Sequence, residues 1–256
     1  MRILPAIFSI ILLSALNAYG QDLKERPLQK LIDCPSAGVP ESGVYDFELR
    51  SFPDGGILAG FTYGLLKRFG IGLYYGGTRI IGFDEPEWNP QPGVVAMCRI
   101  LNESMMLPAL SIGFSNQGYG AWIDSTDRYQ FKAKGFYAAL GKVFRFGKIG
   151  EIGWNLGVNM NPIEEDNEKL DLFLGLDYYL IRQIALVAEY SAGLDDKSEF
   201  NLGEGKGYLN LGLRWTFAER MALDLHLKDI IGNQDAELRG GNRIGREIRI
   251  SYVEKL

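Results

Sequence analysis

Tyr208-Leu209-Asn210-Leu211-Gly212-Leu213-Arg214-Trp215-Thr216-Phe217 carries a large apolar side chain at every second position, with polar or small residues and one tyrosine between. Successive side chains leave a β-strand on opposite faces, so this stretch writes one apolar face and one polar face. After Ala218-Glu219-Arg220 the period resumes, with Leu223, Leu225 and Leu227 alternating against Asp224, His226 and Lys228. Working outward, it recurs as Ile248, Ile250 and Tyr252 against Glu247, Arg249 and Ser251, as Leu172, Leu174 and Leu176 against Asp171, Gly175 and Asp177, and as Tyr45, Phe47 and Leu49 against Asp46, Glu48 and Arg50.

About twelve such segments (ten to fourteen by counting) follow one another, near residues 43–51, 56–64, 69–81, 93–101, 109–116, 135–144, 151–160, 169–179, 184–192, 207–217, 221–231 and 246–255. Most approach the roughly 9–11 residues a tilted strand needs to cross a bilayer, well above the roughly 5–6 of a soluble strand. Their connections alternate between short turns, such as Leu65-Leu66-Lys67-Arg68 and Leu180-Ile181-Arg182-Gln183, and long polar loops at 82–92, 117–134, 161–168, 193–206 and 232–245. Phe52-Pro53-Asp54-Gly55 is the exception, a tight turn where a long loop is due. Short turns at one end and long loops at the other describe an all-β, antiparallel up-and-down transmembrane β-barrel over residues 43–256.

With the first strand running outward, Tyr45, Tyr63, Phe69, Phe144, Trp154, Tyr178, Trp215 and Tyr252 gather at the periplasmic strand ends, forming an aromatic girdle. The alternation leaves open only the face of Phe144. The C-terminal run Ile248, Ile250, Tyr252 is similar to the signal read by the outer-membrane insertion machinery, with Glu254 interrupting it and Leu256 standing where an aromatic is usual.

The chain has 256 residues, 46% hydrophobic and 23% charged, with 32 glycines and a net charge of −5. That composition excludes disorder, and no apolar run is long enough for a polytopic helical membrane protein. The acidic balance and lack of a basic cluster speak against nucleic acid as a partner. Arg2 followed by apolar residues 3–16 and then Asn17-Ala18-Tyr19-Gly20 reads as a signal peptide over 1–20, so the mature chain is exported and acidic. Residues 21–42, rich in charge and then in Pro and Gly, read as a periplasmic lead-in segment.

The polar strand faces then line a lumen holding Asp46, Glu48, Arg50, Asp171, Asp177, Glu189, Arg214, Asp224, His226, Lys228, Glu247 and Arg249. Both signs occur together, which favours a laced salt-bridge network filling the lumen over a charged conduction path. Inward glycines, among them Gly60, Gly70, Gly72, Gly153, Gly157, Gly175 and Gly212, make room for large neighbours or for a narrow pore.

A lipid-cleaving barrel enzyme needs a serine and a histidine within hydrogen-bond reach. His226 is the sole histidine, with Ser251 and Ser191 as inward candidates, but it points away from the bilayer. A hydrolase acting on phospholipid or lipid A is therefore the weaker reading. The acidic loops Glu164-Glu165-Asp166-Asn167-Glu168 and Asp84-Glu85-Pro86-Glu87 match no calcium-loop spacing and read as solvated faces rather than a metal site. Cys34 and Cys98 form an even pair in an oxidising compartment, with Cys34 expected at the periplasmic rim and Cys98 facing lipid, so a disulfide is the lesser expectation. No cofactor motif is present.

Cys34-Pro35-Ser36-Ala37-Gly38, Gly43-Val44-Tyr45-Asp46-Phe47-Glu48-Leu49-Arg50, Gly55-Gly56, Trp88-Asn89-Pro90-Gln91-Pro92-Gly93, Pro108-Ala109-Leu110 and Gln117-Gly118-Tyr119-Gly120 together resemble YjbH-like bacterial outer-membrane proteins. The resemblance is clearest over residues 34–120. It implies an envelope role tied to exopolysaccharide, with an envelope polysaccharide as partner, and transfers no functional residues. The reading as a whole is a non-enzymatic barrel of the bacterial outer membrane, structural or narrow-channelled. Its partners are outer-membrane lipid and lipopolysaccharide, and the alternative outside the membrane is a soluble exported β-sandwich.

Overall fold

The structure is a computed structural model that describes residues 31–146, 150–164, 169–181, 183–196, 202–217, 220–234 and 244–256. Residues 1–20, which the sequence reads as a signal peptide, residues 21–30 of the expected lead-in segment and residues 165–168 of the acidic loop lie outside the described residues. Among the described residues fifteen strands follow in order: β1 (Val44–Phe52), β2 (Gly56–Leu66), β3 (Phe69–Thr78), β4 (Glu87–Trp88), β5 (Gly93–Leu101), β6 (Ala109–Ser115), β7 (Tyr119–Ile123), β8 (Arg128–Phe131), β9 (Gly135–Arg145), β10 (Glu151–Met160), β11 (Leu170–Ile181), β12 (Ile184–Ser191), β13 (Tyr208–Phe217), β14 (Met221–Lys228) and β15 (Gly245–Lys255).

Twelve of these form a closed ring. Each long strand lies beside the next, β2 pairs with both β1 and β3, and β1 pairs antiparallel with β15 from Val44↔Lys255 to Ser51↔Ile248. The ring closes with β9 lying along β10, where the ladder itself has one bridge, Met160↔Gly135; a sheet closed on itself is the condition for placing strands in hydrocarbon. β4 adds two residues to β3, and β7 with β8 makes a separate hairpin.

The outer surface identifies the solvent. Leu172, Leu174 and Leu176 of β11, Leu211, Leu213 and Trp215 of β13, Leu225 and Leu227 of β14, and Ile248 and Ile250 of β15 are all exposed. The same positions pair laterally, as Leu213↔Leu225 and Leu225↔Ile248 do, so the apolar side chains form a continuous belt. A belt of this extent is far beyond the exposed apolar patches soluble proteins tolerate, which removes the soluble sandwich. The chain is a transmembrane β-barrel of the outer-membrane type. Leu174→Arg, in the middle of β11, is expected to weaken folding into vesicles by about 2–4 kcal/mol. Urea titration of the heat-modifiable band measures it, and an unchanged midpoint would refute the lipid-facing assignment of β11.

Phe144 departs from the girdle. The alternation of β9 slips at Gly141 and Lys142, which are both buried, and Phe144 consequently turns inward. The slip has its cause in the adjoining 102–108 turn. Val143 N–H donates to Glu103 and Lys142 Nζ donates to the Met105 carbonyl at 2.7 Å. Tyr45, Tyr63, Phe69, Trp154, Tyr178, Trp215 and Tyr252 stay on the outward face, toward the short-turn ends of their strands. There Glu254, the interruption in the C-terminal pattern, accepts from Tyr45, Tyr252 and Arg220.

Two strand ends are earlier than the alternation implies. β3 stops at Thr78 because Arg79 adopts positive φ and its N–H bonds the Asp54 carbonyl at 2.8 Å, tying the outer loop to the tight 53–55 turn. β14 stops at Lys228, where Asp229 takes φ 51° and its carboxylate accepts from the Asn233 and Gln234 amides.

Candidate functional site

All twelve inward charged or titratable residues named from the sequence are buried. Buried ions need partners of opposite sign. Asp224 on β14 lies between Arg214 of β13 (Nε to Oδ1, 2.7 Å) and Arg249 of β15 (Nε to Oδ2, 2.8 Å). His226 stands between Asp224, at 4.0 Å, and Glu247, at 3.9 Å. Arg50 Nε donates to Glu247 at 2.9 Å. One charge relay therefore runs along the inward faces of β13, β14, β15 and β1. Asp46, Glu48 and Asp177 are buried on the same inward surface. The neighbours of His226 in this relay are carboxylates, not a serine hydroxyl.

The centre of the lumen is occupied by the chain itself. Residues 31–40, expected outside the barrel as the end of a periplasmic lead-in, lie within it; Leu31, Ile32, Cys34 and Ala37 are buried. Glu189 of β12 explains how an extended segment survives there. Its carboxylate accepts from the Ile32, Asp33 and Cys34 amides at 2.9 to 3.0 Å and from Asn210 at 2.7 Å. Arg249 donates to the Leu31 and Ile32 carbonyls, Asn155 accepts from Ala37 N–H, and Ser111 donates to the Ala37 carbonyl at 2.7 Å. An irregular segment has no ladder to satisfy its amides, so the wall's polar side chains supply the missing partners.

The wall also makes room. A Cβ on Gly175 would run into Leu31, one on Gly70 would stand 2.8 Å from Pro40, and one on Gly141 would stand 3.0 Å from Ala37. Gly60 and Gly72 instead accommodate Tyr74, Gly157 accommodates Phe173, Gly153 gives space to Asp177, and Gly212 lies against His226 and Ile32. The inward glycines thus divide between the segment and large wall side chains.

The second occupant is the β7–β8 hairpin, part of the 117–134 stretch that reads in sequence as an outer loop. Tyr119, Arg128, Tyr129 and Ala133 are buried. Arg128 pairs with Asp196, Lys132 with Asp195 at 3.6 Å, and Lys134 Nζ donates to Ser191 at 3.0 Å. Asn161 donates to the Ala133 carbonyl, and Ala133 N–H donates to Glu164 at 3.1 Å. Glu164 is therefore not a solvated loop residue; Asp84, Glu85 and Glu87 do remain exposed.

Segment, hairpin and wall meet at Asp33. Its carboxylate receives Arg50 Nη2 at 2.6 Å, Tyr119 hydroxyl at 3.1 Å and the Lys228 ammonium. The Arg50 guanidinium also lies 4.0 Å over the Tyr119 ring. Burial alone would raise the Asp33 carboxyl, but Lys228 and Arg50 hold it well below the usual carboxylate range. Cys34, next in sequence, is unpaired and buried rather than at the rim, and Cys98 is likewise unpaired on the outward face of β5. Burial, then the nearby Glu189 carboxylate, pushes the Cys34 thiol well above its ordinary value.

Glu164 supplies a pH dependence. Burial pushes its carboxyl from an ordinary 4.5 to about 7, against the opposing effects of the Ala133 amide, Arg128 and Lys132. The folded value is the higher one, so the stability that comes from burying Glu164 as a neutral carboxyl is complete below pH 4.5 and is lost as pH rises through 7, which makes opening of this corner easier. Hydrogen exchange at Ala133, normalised to Glu164→Gln protein at each pH, is expected to accelerate from pH 5 to 8. A flat ratio would contradict it.

Family models give no match to the sequence, and neither does a search of curated proteins. Among solved structures the chain is similar to the KdgM porin, at 10% identity, covering 82% of this chain and 98% of that one with a TM-score of 0.46. It is similar also to the Acinetobacter baumannii outer membrane protein Omp33, at 10% identity over 84% and 99% with a TM-score of 0.46, and to the NanC porin, at 8% over 83% and 99% with a TM-score of 0.46. The barrel assignment stands on this chain's own closed ring of strands and its outward apolar belt.

Proposed function

We propose that the protein is a non-enzymatic outer-membrane channel barrel held shut by its own N-terminal segment, with the β7–β8 hairpin as a second stopper. The observation that carries this reading is the Glu189 clamp on three consecutive backbone amides of the segment. A wall carboxylate that ends on another part of the chain's backbone holds a separable stopper, whereas the Arg214–Asp224–Arg249 cluster joins barrel strands to one another. The solute class we assign is small solutes or envelope polysaccharide, the latter resting on the resemblance to YjbH-like proteins.

Planar-bilayer recording tests the reading. The full chain is expected to insert without steady conductance, and Asp33→Ala combined with Glu189→Ala is expected to open long-lived steps. Steady conductance from the unaltered chain, or a silent double variant that is still folded, contradicts it.

A further inference from the structure

The inward wall has two chemical halves. β11 to β15 and β1 carry the charged relay, while Leu58 of β2, Tyr74 of β3, and Val95 and Met97 of β5 form one apolar cluster with Phe52 and Tyr119. Side chains of this kind are out of place in a lumen filled with water and ions. A cavity of about 140 Å³ lies where the two halves meet, under the N-terminal segment and beside the hairpin.

Its lining is asymmetric in charge as well. Arg50, Lys132, Lys134 and Arg249 contribute four cations against the two carboxylates of Asp33 and Glu48. The acids that pair with those cations across the wall, Glu247, Asp195, Asp171 and Asp224, are not in the lining. Lys134 is held to Asp171 at 3.9 Å, and among the described residues its one direct hydrogen bond is to Ser191. An ammonium has three donors, so Lys134 retains capacity for another acceptor.

We propose that this cavity is a binding site for a small amphipathic carboxylate, its compact apolar body against Leu58, Val95 and Met97 and its carboxylate toward Lys134 and Arg50. The size fits a single ring, since an apolar cavity of about 150 Å³ accommodates benzene. Each lining cation already has an acid partner, so it is the remaining donor capacity of Lys134, not the net charge of the site, that favours a carboxylate over a neutral or cationic compound of the same shape. The proposal rests on the closed-barrel reading, because the segment is one wall of the cavity.

Calorimetric titration of the full-length mature chain in detergent micelles, with benzoate, benzyl alcohol and benzylamine as probes, tests it. Benzoate is expected to bind at one site, at least about tenfold more tightly than benzyl alcohol, with benzylamine weakest. Leu58→Trp and, separately, Val95→Phe fill the apolar side and are expected to abolish binding. Lys134→Met is expected to weaken benzoate about tenfold while leaving benzyl alcohol unchanged, and Lys134→Arg to restore most of the loss. Equal affinity for the three probes overturns anion selection, and no binding by protein that still shows heat-modifiable migration and a shielded Cys34 overturns the site. Protein that keeps heat-modifiable migration but exposes Cys34 would instead remove the closed-barrel reading, and the site with it.

Discussion

Replacing Glu189 with alanine is expected to unseat the N-terminal segment and expose Cys34 to a water-soluble maleimide. The substitution leaves the Ile32, Asp33 and Cys34 amides buried with no acceptor, at about 1–3 kcal/mol for each orphaned donor. The barrel keeps its ladder, because residue 189 still pairs through its backbone with Gly175 and Asn210. The segment therefore has a reason to leave and the wall has none to fall apart. In a Cys98→Ser background, Cys34 is expected to go from unlabelled to fully labelled while migration remains heat-modifiable. Glu189→Gln, which keeps an acceptor oxygen, is expected to fall between the two. Continued shielding of Cys34 in the alanine variant would mean that the other contacts hold the segment unaided.

Asp224→Ala acts on the barrel itself and has the larger effect on stability. It strips the carboxylate from between two buried guanidinium groups, those of Arg214 and Arg249, which come from strands on either side of β14. Breaking a buried ion pair on one side costs about 3–5 kcal/mol, mostly because the remaining charge is left uncompensated. The urea midpoint of the folded band is expected to drop accordingly. Removing the charges together, as Asp224→Leu with Arg214→Met and Arg249→Met, is expected to recover most of the loss. If the triple variant is no better folded than the single one, the cluster's contribution lies in packing rather than charge.

The contrast between these variants reflects what the residue order encodes. Strand number, direction and facing are local properties: Leu211, Leu213 and Trp215 against Asn210, Gly212 and Arg214 state the lipid side outright, and so do their counterparts on β11, β14 and β15. Every inward charge named from that alternation is buried. Phe144 escaped it because a slip at Gly141 and Lys142 depends on Glu103, about forty residues earlier in the chain. The occupants of the lumen escaped it for a related reason. Residues 31–40 and 117–134 have no period, so nothing local says where they go, and their partners Glu189, Asp196 and Glu164 are distant in sequence. One signal was present in the hairpin, since Tyr119, Trp122, Tyr129 and Phe131 are too many aromatics for a loop left in water. Glu164 shows the converse, an acid in a charged loop that pattern alone assigns to solvent and that Ala133 draws into the interior.

The measurement that bears most directly on the central claim is a cross-link between the segment and the wall. Leu31 packs where a Cβ on Gly175 would stand, near the middle of β11. A chain carrying Leu31→Cys and Gly175→Cys, with Cys34 and Cys98 changed to serine, is expected to close a disulfide on mild oxidation in vesicles. The product is expected to lose its free thiols with no change in apparent size beyond that of one chain, and the urea-denatured chain to form far less of it. Two thiols that stay free and reactive in the folded, heat-modifiable barrel would place residues 31–40 outside the lumen and contradict the stoppered barrel.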